Sequence, residues 1–382
     1  MFQSLTRRVL EPPAFGLDIS DLTVKFCRLL EGRDSILLDA FGEIDIPEGI
    51  VVSGEIKKPT DLARILGGEL RTSEGKKIRD RYCIASLPEE KSFVRVVDLP
   101  NLKPGDIAKA IRWEVEAVVP LPVDQIIFDY ESVPAPVAGG TPEMVGKNSD
   151  AVQPVAMGTQ DTRAVLLTAF PKDVIASYHQ VLRSAGFFPL AIELESQAIS
   201  RALVSDATRQ HPTIIVDIGT TRTSFIIFAG GSLVFTKSIT VGGHNFESAI
   251  SEKLGVSVDE AREVKIEAGL NKNYREGKVF EALMPHLSTI TNELDQQITF
   301  YQNHPAKHHE AQGGIDQIIL CGGDANLIGL EKYISTTIKK RTLLGDPFIN
   351  FHFLEGTIPA IPKSKSLKYT TAIGLALRAI GR

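Results

Sequence analysis

A two-lobed α/β protein is the fold class this sequence predicts, and three observations carry the prediction. Three apolar runs of strand length, far apart in the chain, each end in a turn of small, acidic or hydroxylated residues. The first two turns lie roughly 200 residues apart, as an internal duplication with one copy per lobe would place them. The chain's 382 residues also exceed what one hydrophobic core usually serves.

The first turn is Phe15-Gly16-Leu17-Asp18-Ile19-Ser20-Asp21, running on to Lys25. The second spans Ile214–Thr223 and carries Asp217, Gly219, Thr220, Thr221 and Thr223. The third spans Ile318–Asn326 and centres on Gly322-Gly323. A hairpin tip with converging amides makes an anion-binding concavity, and small residues let backbone approach phosphate. The Thr220, Thr221 and Thr223 hydroxyls add donors. Asp18 and Asp217 have the wrong charge to touch phosphate; their role is to hold waters on a neutralising Mg²⁺. Lys25 supplies a fixed cation. Gly322-Gly323, before a helix beginning near Asn326, offers a flat backbone surface for a purine and ribose. Any one turn alone reads as an ordinary hairpin. Together they read as a nucleotide clamp.

Between these turns the elements follow in order. A first hairpin spans about 14–40. Tyr82–Ser86 and Phe93–Leu99 read as strands. Pro104–Val118 reads as an amphipathic helix, with Ile107, Ile111, Val115 and Val118 on one face and Pro120 as its stop. Ile126–Tyr130 and Ala164–Phe170 are two further strands around Glu131–Arg163, a loop without hydrophobic period. Helices are expected at Lys172–Ala185, closed by Gly186, and at Ile192–Leu203. Thr213–Phe228 and Ser232–Val241 pair around Gly230-Gly231. Gly242-Gly243 opens the helix Asn245–Leu254, and Val258–Ala268 is another. Leu283, Leu287, Ile290, Leu294, Ile298 and Tyr301 stripe a long helix. Leu327–Lys340 and Thr370–Ile380 read as the last two.

Composition narrows the function. A net charge of −5 with both signs interspersed leaves no footprint for nucleic acid. No apolar run approaches a membrane span, and no signal-peptide core opens the chain. The three cysteines, Cys27, Cys83 and Cys321, are odd in number and widely spaced, as buried thiols in a reducing compartment would be. Met1–Leu10 carries apolar residues beside Arg7 and Arg8, and reads as a frayed terminus or a membrane-surface contact. His304, His308 and His309 read as a solvated loop, since no carboxylate or cysteine constellation completes a metal set.

Further stretches carry a family resemblance: Ile111–Pro122, Ile127–Tyr130, Val165–Pro171, Ala185–Leu203, Val241–Leu254 and Leu254–Gly269. With the three turns, they make the chain, from Phe15 to its end, resemble the PilM family of type IV pilus assembly proteins, relatives of the cell-division protein FtsA. The resemblance implies a two-lobed actin-like ATPase (ribonuclease H-like) fold with an inserted SHS2-like 1C subdomain. Lobe 1 (1A) is then expected at 13–44, 191–211 and 345–382, after a flexible 1–12. The inserted subdomain takes 45–190 with its loop 131–163, and lobe 2 (2A/2B) takes 212–344.

The family's ATP-binding positions carry over residue by residue. Asp18, Ser20, Asp21 and Lys25 match the first phosphate loop, and Asp217, Gly219, Thr220, Thr221 and Thr223 the second. Gly242 and Gly243 join the nucleotide set. Lys265 matches a lysine reaching the ribose or adenine edge, and Gly322, Gly323 and Asn326 the adenosine motif. Asp18 and Asp217 hold Mg²⁺ through water. Glu195 is the one candidate for orienting a hydrolytic water, with a solvated helix carboxylate as the alternative. Ser20 replaces the usual Gly and Arg262 a common Glu, departures that imply slow ATP hydrolysis or none.

The family acts as a scaffold on the cytoplasmic face of the inner membrane, self-associating and tethered by the N-terminal tail of PilN among other platform proteins. Its membrane contact is indirect. Trp113, Val118, Val119 and Leu121 are candidates for the wall of the tail groove, or simply pack the subdomain core. Rival readings are an FtsA-like membrane-associated filament protein, which would carry an amphipathic tail beyond the last helix, and a GspL-like type II secretion component, which would continue into a transmembrane helix. The signature segments of sugar or acetate kinases are missing from the sequence.

Overall fold

The computed structural model describes residues 12–32, 35–68, 70–71, 77–100, 102, 104–133, 162–209, 211–303, 313–351 and 360–381. The N-terminal residues 1–11, most of the 131–163 loop, and the His304, His308 and His309 run lie outside the described residues.

Strands β1 (Ala14–Ile19), β2 (Thr23–Glu31) and β3 (Ile36–Asp45) form an antiparallel meander. A short hairpin, β4 (Val51–Val52) and β5 (Glu55–Ile56), leads to α1 (Pro59–Gly68) and then to β6 (Tyr82–Leu87), which pairs with β1 in parallel. The chain next builds a small unit from β7 (Phe93–Pro100), α2 (Pro104–Val118), β8 (Ile126–Ser132) and β9 (Thr162–Pro171). It returns through α3 (Lys172–Ser184) to β10 (Phe188–Leu194), parallel to β6, and to α4 (Glu195–Leu203).

The second lobe repeats the pattern. Strands β11 (Thr213–Ile218), β12 (Thr223–Ala229) and β13 (Ser232–Ile239) are again an antiparallel meander. Helices α5 (Gly243–Leu254), α6 (Val258–Ala268) and α7 (Lys278–Asn303) follow. Next come β14 (Gln317–Cys321), α8 (Leu330–Ile338) and β15 (Arg341–Leu344), the two strands adding in parallel. Helix α9 (Thr370–Ala379) carries the chain back onto β1 and α4. The first sheet runs β10-β6-β1-β2-β3 and the second, read from its other edge, β15-β14-β11-β12-β13. The duplication expected from the two aspartate turns is therefore visible strand for strand.

The small three-stranded sheet, β7-β9-β8, is antiparallel. It closes over its own core of Val97, Leu99, Ile111, Val115, Val119, Ile126, Val165 and Leu167. Only Phe93–Pro171 of the 45–190 span builds this sheet; β6 and β10 hydrogen-bond into the first-lobe sheet instead.

Two helices expected from the sequence differ. Ile192–Leu194 belongs to a strand, because Ile192 and Leu194 fall in register with Ala85 and Leu87 of β6, so the helix starts only at Glu195. The expected helix Leu327–Lys340 shortens to Leu330–Ile338, and Arg341–Leu344 becomes a parallel strand beside β14. Short strands of this kind have too few residues to show a period. The cysteines are free and buried, as expected.

Close packing between α9 and α4 depends on Gly374, where a Cβ would lie 1.9 Å from the Ala198 carbonyl oxygen. Gly374→Val is expected to lower stability by about 3 kcal/mol through overpacking. A denaturant-midpoint shift measures it, and an unchanged midpoint would refute the tight contact.

Candidate functional site in the interlobe cleft

Each of the three turns is the C-terminal end of a buried strand, so parallel and antiparallel pairing brings them to one side of the molecule. The first turn closes when the Ser20 amide and hydroxyl both donate to the Thr23 carbonyl, each at 2.9 Å. In the second, the Gly219 amide donates to the Arg222 carbonyl at 2.9 Å. In the third, Gly322 has φ +90, and a Cβ there would lie 2.5 Å from Asp217 Oδ1. Only glycine lets that backbone pass so close to the second loop.

These turns line one cleft with about 750 Å³ of atom-free space, part of it open to solvent. Asp18, Ser20, Asp21, Lys25, Asp217, Gly219, Thr220, Thr221, Gly322, Gly323 and Glu195 all face it, so most of the expected residues come together. Others do not line it. Thr223 is fully buried, its hydroxyl spent on the Val241 carbonyl at 2.7 Å. Gly242 and Gly243 brace the second loop from behind, the Gly243 amide donating to the Gly219 carbonyl at 3.0 Å. Lys265 is buried between Glu247, at 2.8 Å, and Asp324. Asn326 ends a 3-10 turn, Gly323–Asn326, where the sequence predicted the start of a helix.

The carboxylates are held individually. Asp18 Oδ1 accepts from Ser86 Oγ at 2.9 Å, and Ser86 Oγ in turn accepts from the Ile19 amide. Asp21 reaches both ways: Oδ1 accepts from the Gly54 amide at 2.9 Å and Oδ2 from Thr221 Oγ1, across the cleft, at 3.1 Å. Asp217 Oδ1 accepts from Cys321 Sγ at 3.7 Å. Burial raises the Asp217 carboxyl to about 6, with Asp18 adding to the rise and Arg222 opposing it. Burial also lifts Asp324, against the pull of Lys265. Glu247 is lifted by burial too, but its hydrogen bonds from Lys265 and Arg262 outweigh that and leave it lowered.

Arg222, which the sequence reasoning passed over, ties the lobes together. Its Nη2 donates to both oxygens of Glu195, at 2.7 and 3.0 Å, and its Nη1 to Glu90 at 2.7 Å. Burial pulls the guanidinium down, but Glu195 and Glu90 outweigh it, so Arg222 stays charged. Glu195 is thus engaged by a cation rather than solvated, and burial pushes its carboxyl upward against Arg222. The signal for Arg222 was present, a lone charge in the run Thr220-Thr221-Arg222-Thr223. Glu43 and Lys368 were also missed. They belong to no local motif, and only the Lys25↔Glu43 register of β2 and β3 brings the first of them to the cleft.

The expected partner wall divides. Trp113 is 72% exposed on α2, whereas Val119 is buried in the small-unit core and Val118 and Leu121 are half-buried against it. Val119 therefore takes the core alternative, because it continues the Ile111–Val115 face of the helix.

Arg222→Ala leaves Glu90 and Glu195 without their shared counter-ion and is expected to destabilise the chain by about 3–5 kcal/mol. Adding Glu195→Gln should recover part of that loss, since one stranded charge is removed. Equal denaturant midpoints for wild type and Arg222→Ala would show that the pair is not buried in solution.

The model of a family described as "Type IV pilus assembly protein PilM" matches residues 16–380. The cell-division protein FtsA of Bacillus subtilis (strain 168) is 26% identical over 278 residues, 70% of this chain and 57% of its own. The chain spans between 35% and 57% of the length of the curated FtsA relatives it matches. Among solved structures, a PilM-PilN type IV pilus biogenesis complex matches with a TM-score of 0.75 at 20% identity, covering 97% of this chain and all of that one. MreB5 of Spiroplasma citri bound to ADP matches with a TM-score of 0.52 at 13% identity, over 95% of this chain and 94% of its own. These likenesses establish the fold as the two-lobed actin-like one.

Proposed function

The chain belongs to the type IV pilus assembly protein PilM family, and on that premise we propose that it is an ATP-binding scaffold of a pilus inner-membrane platform. The observation that carries the nucleotide half is the convergence of Asp18, Lys25, Asp217 and the Gly219–Thr221 loop on one cleft with Gly322-Gly323. The donor set suits Mg-ATP. Lys25 and the second-loop amides would hold phosphates, and Asp18 and Asp217 would take water ligands of Mg²⁺. Magnesium, when bound, would supply the charge neutralisation that so many carboxylates in the cleft otherwise prevent. Gly322 and Gly323 would carry the adenosine, with Lys265 and Asn326 behind them. Glu195, occupied by Arg222, is poorly placed as a free base, which supports binding with slow turnover.

The scaffold half rests on the family and on the small unit. The N-terminal tail of PilN is the partner assigned to it, with self-association and further platform proteins around it. A groove between the small sheet and the lobes, lined by Glu131, Leu166, Gln197, Arg201, Leu233 and Leu377, is the seat proposed for that tail. Trp113 offers a second, exposed apolar anchor on the same unit. Among the described residues, no helix is long and apolar enough to cross a membrane, so residence at the inner face of the inner membrane would be through the partner.

Two measurements test this. Titration calorimetry of Mg-ATP should show micromolar binding that Asp217→Ala abolishes; equal heats from both proteins would refute the clamp. For the tail, Trp113→Ala should weaken PilN-peptide affinity by about 30-fold if the indole is an anchor. Glu131→Arg, in the groove, should weaken it as well, and loss in Glu131→Arg alone would remove Trp113 from the contact. Wild-type affinity in both would sink the tail assignment.

A further inference from the structure

Among the described residues lining the cleft, the cations are Lys25, Arg222 and Lys368, and each is already paired with a carboxylate. Lys25 and Lys368 share Glu43, and all three belong to the first lobe. Exchanging those pairs for phosphate alters nothing between the lobes. Arg222 differs, because it stands on the second-lobe loop and holds two carboxylates of the first.

Its two arms are unequal. Glu195 receives two hydrogen bonds and is 7% exposed, whereas Glu90 receives one and is 19% exposed. The second Glu90 oxygen is buried without a partner. Glu90 is therefore the arm more readily surrendered, since its carboxylate recovers water with the smaller rearrangement. Glu90 sits in the Glu89–Lys91 turn, which runs from β6 directly into β7 of the small sheet. Glu89, in the same turn, accepts from the Ser196 amide at 3.0 Å. The turn is thus pinned inside the first lobe by Glu89 to Ser196 and Lys91 to Glu55, and to the second lobe by Glu90 to Arg222 and by a side-chain hydrogen bond between Glu89 and Thr236 of β13.

A second cavity lies beyond Arg222. It shares Asp21, Leu22, Thr221 and Arg222 with the cleft but not Gly322 or Gly323. Arg222 accordingly stands at the end of the cleft away from the adenosine turn, where a terminal phosphate would reach. The structure assigns Arg222 as an exchangeable latch, an inference that rests on the nucleotide-binding reading above. Arg222 trades Glu90 for the outermost phosphate of a nucleoside triphosphate, and release of Glu90 loosens the turn that carries the small unit. A guanidinium forks onto phosphate oxygens as well as onto carboxylates, so the exchange keeps its hydrogen bonds satisfied.

Hydrogen–deuterium exchange of residues 88–96 in the full chain tests the latch, with Mg-ADP and a non-hydrolysable Mg-ATP analogue as probes and calorimetry as the binding control. The triphosphate analogue should raise exchange there by about fivefold or more, and ADP should leave it near the unliganded rate. Glu90→Gln should exchange fast without any nucleotide and gain little on adding it. Arg222→Lys, which keeps the charge but loses the fork, should behave likewise. Binding by calorimetry with exchange unchanged would overturn the latch and leave the nucleotide reading intact. Failure of either nucleotide to bind would defeat that reading, and the latch with it.

Discussion

The bifurcated contact of Arg222 with Glu90 and Glu195 is the interaction on which the arrangement of the two lobes depends. Both lobes end their central strands in acidic turns, so closing them over one cleft brings Asp18, Asp21, Glu195 and Asp217 into mutual range. Like charges gathered in a desolvated space repel: burial lifts the Asp217 carboxyl, and the neighbouring Asp18 charge adds to the rise. A guanidinium reaching from one lobe to two carboxylates of the other offsets that repulsion and adds directional hydrogen bonds. The Thr221–Asp21 contact supplements it without carrying charge compensation.

The same constraint explains the wider charge pattern of the cleft. Lys25 and Lys368 converge on Glu43, while Lys265 lies between Glu247 and Asp324 beside the Gly322-Gly323 turn. The cations of the cleft are therefore all engaged by carboxylates, so an anion entering it would have to exchange partners with them. Such a site suits a protein whose conformation reports on occupancy more than one built for fast turnover. Placement of the small unit fits that view, since its first strand follows the Glu89–Lys91 turn with one residue between them.

Much of this was legible in the sequence. The three turns announce themselves by composition, and the strands leading into them are apolar enough to be recognised without partners. Helix α2 shows its period and its proline stop, and its bounds agree with the sequence reading residue for residue. The element type of Phe188–Leu194 and Arg341–Leu344 was not legible. Those strands exist because β6 and β14 offer them parallel edges, a property of distant residues and not of their own seven or four.

By itself the sequence determined the duplicated α/β plan, the three loops of the cleft and membership of a pilus-assembly family, because each is written in contiguous residues. Only the tertiary structure decided which side chains are free to act. It withdrew Thr223 and Lys265 into internal bonds, buried Val119 and exposed Trp113. It also joined Glu43, Glu90, Arg222 and Lys368 to the site. The physical reason is that hydrogen bonds and ion pairs are settled by through-space distance. Glu90 and Arg222 stand 132 residues apart in the chain and 2.7 Å apart in the fold.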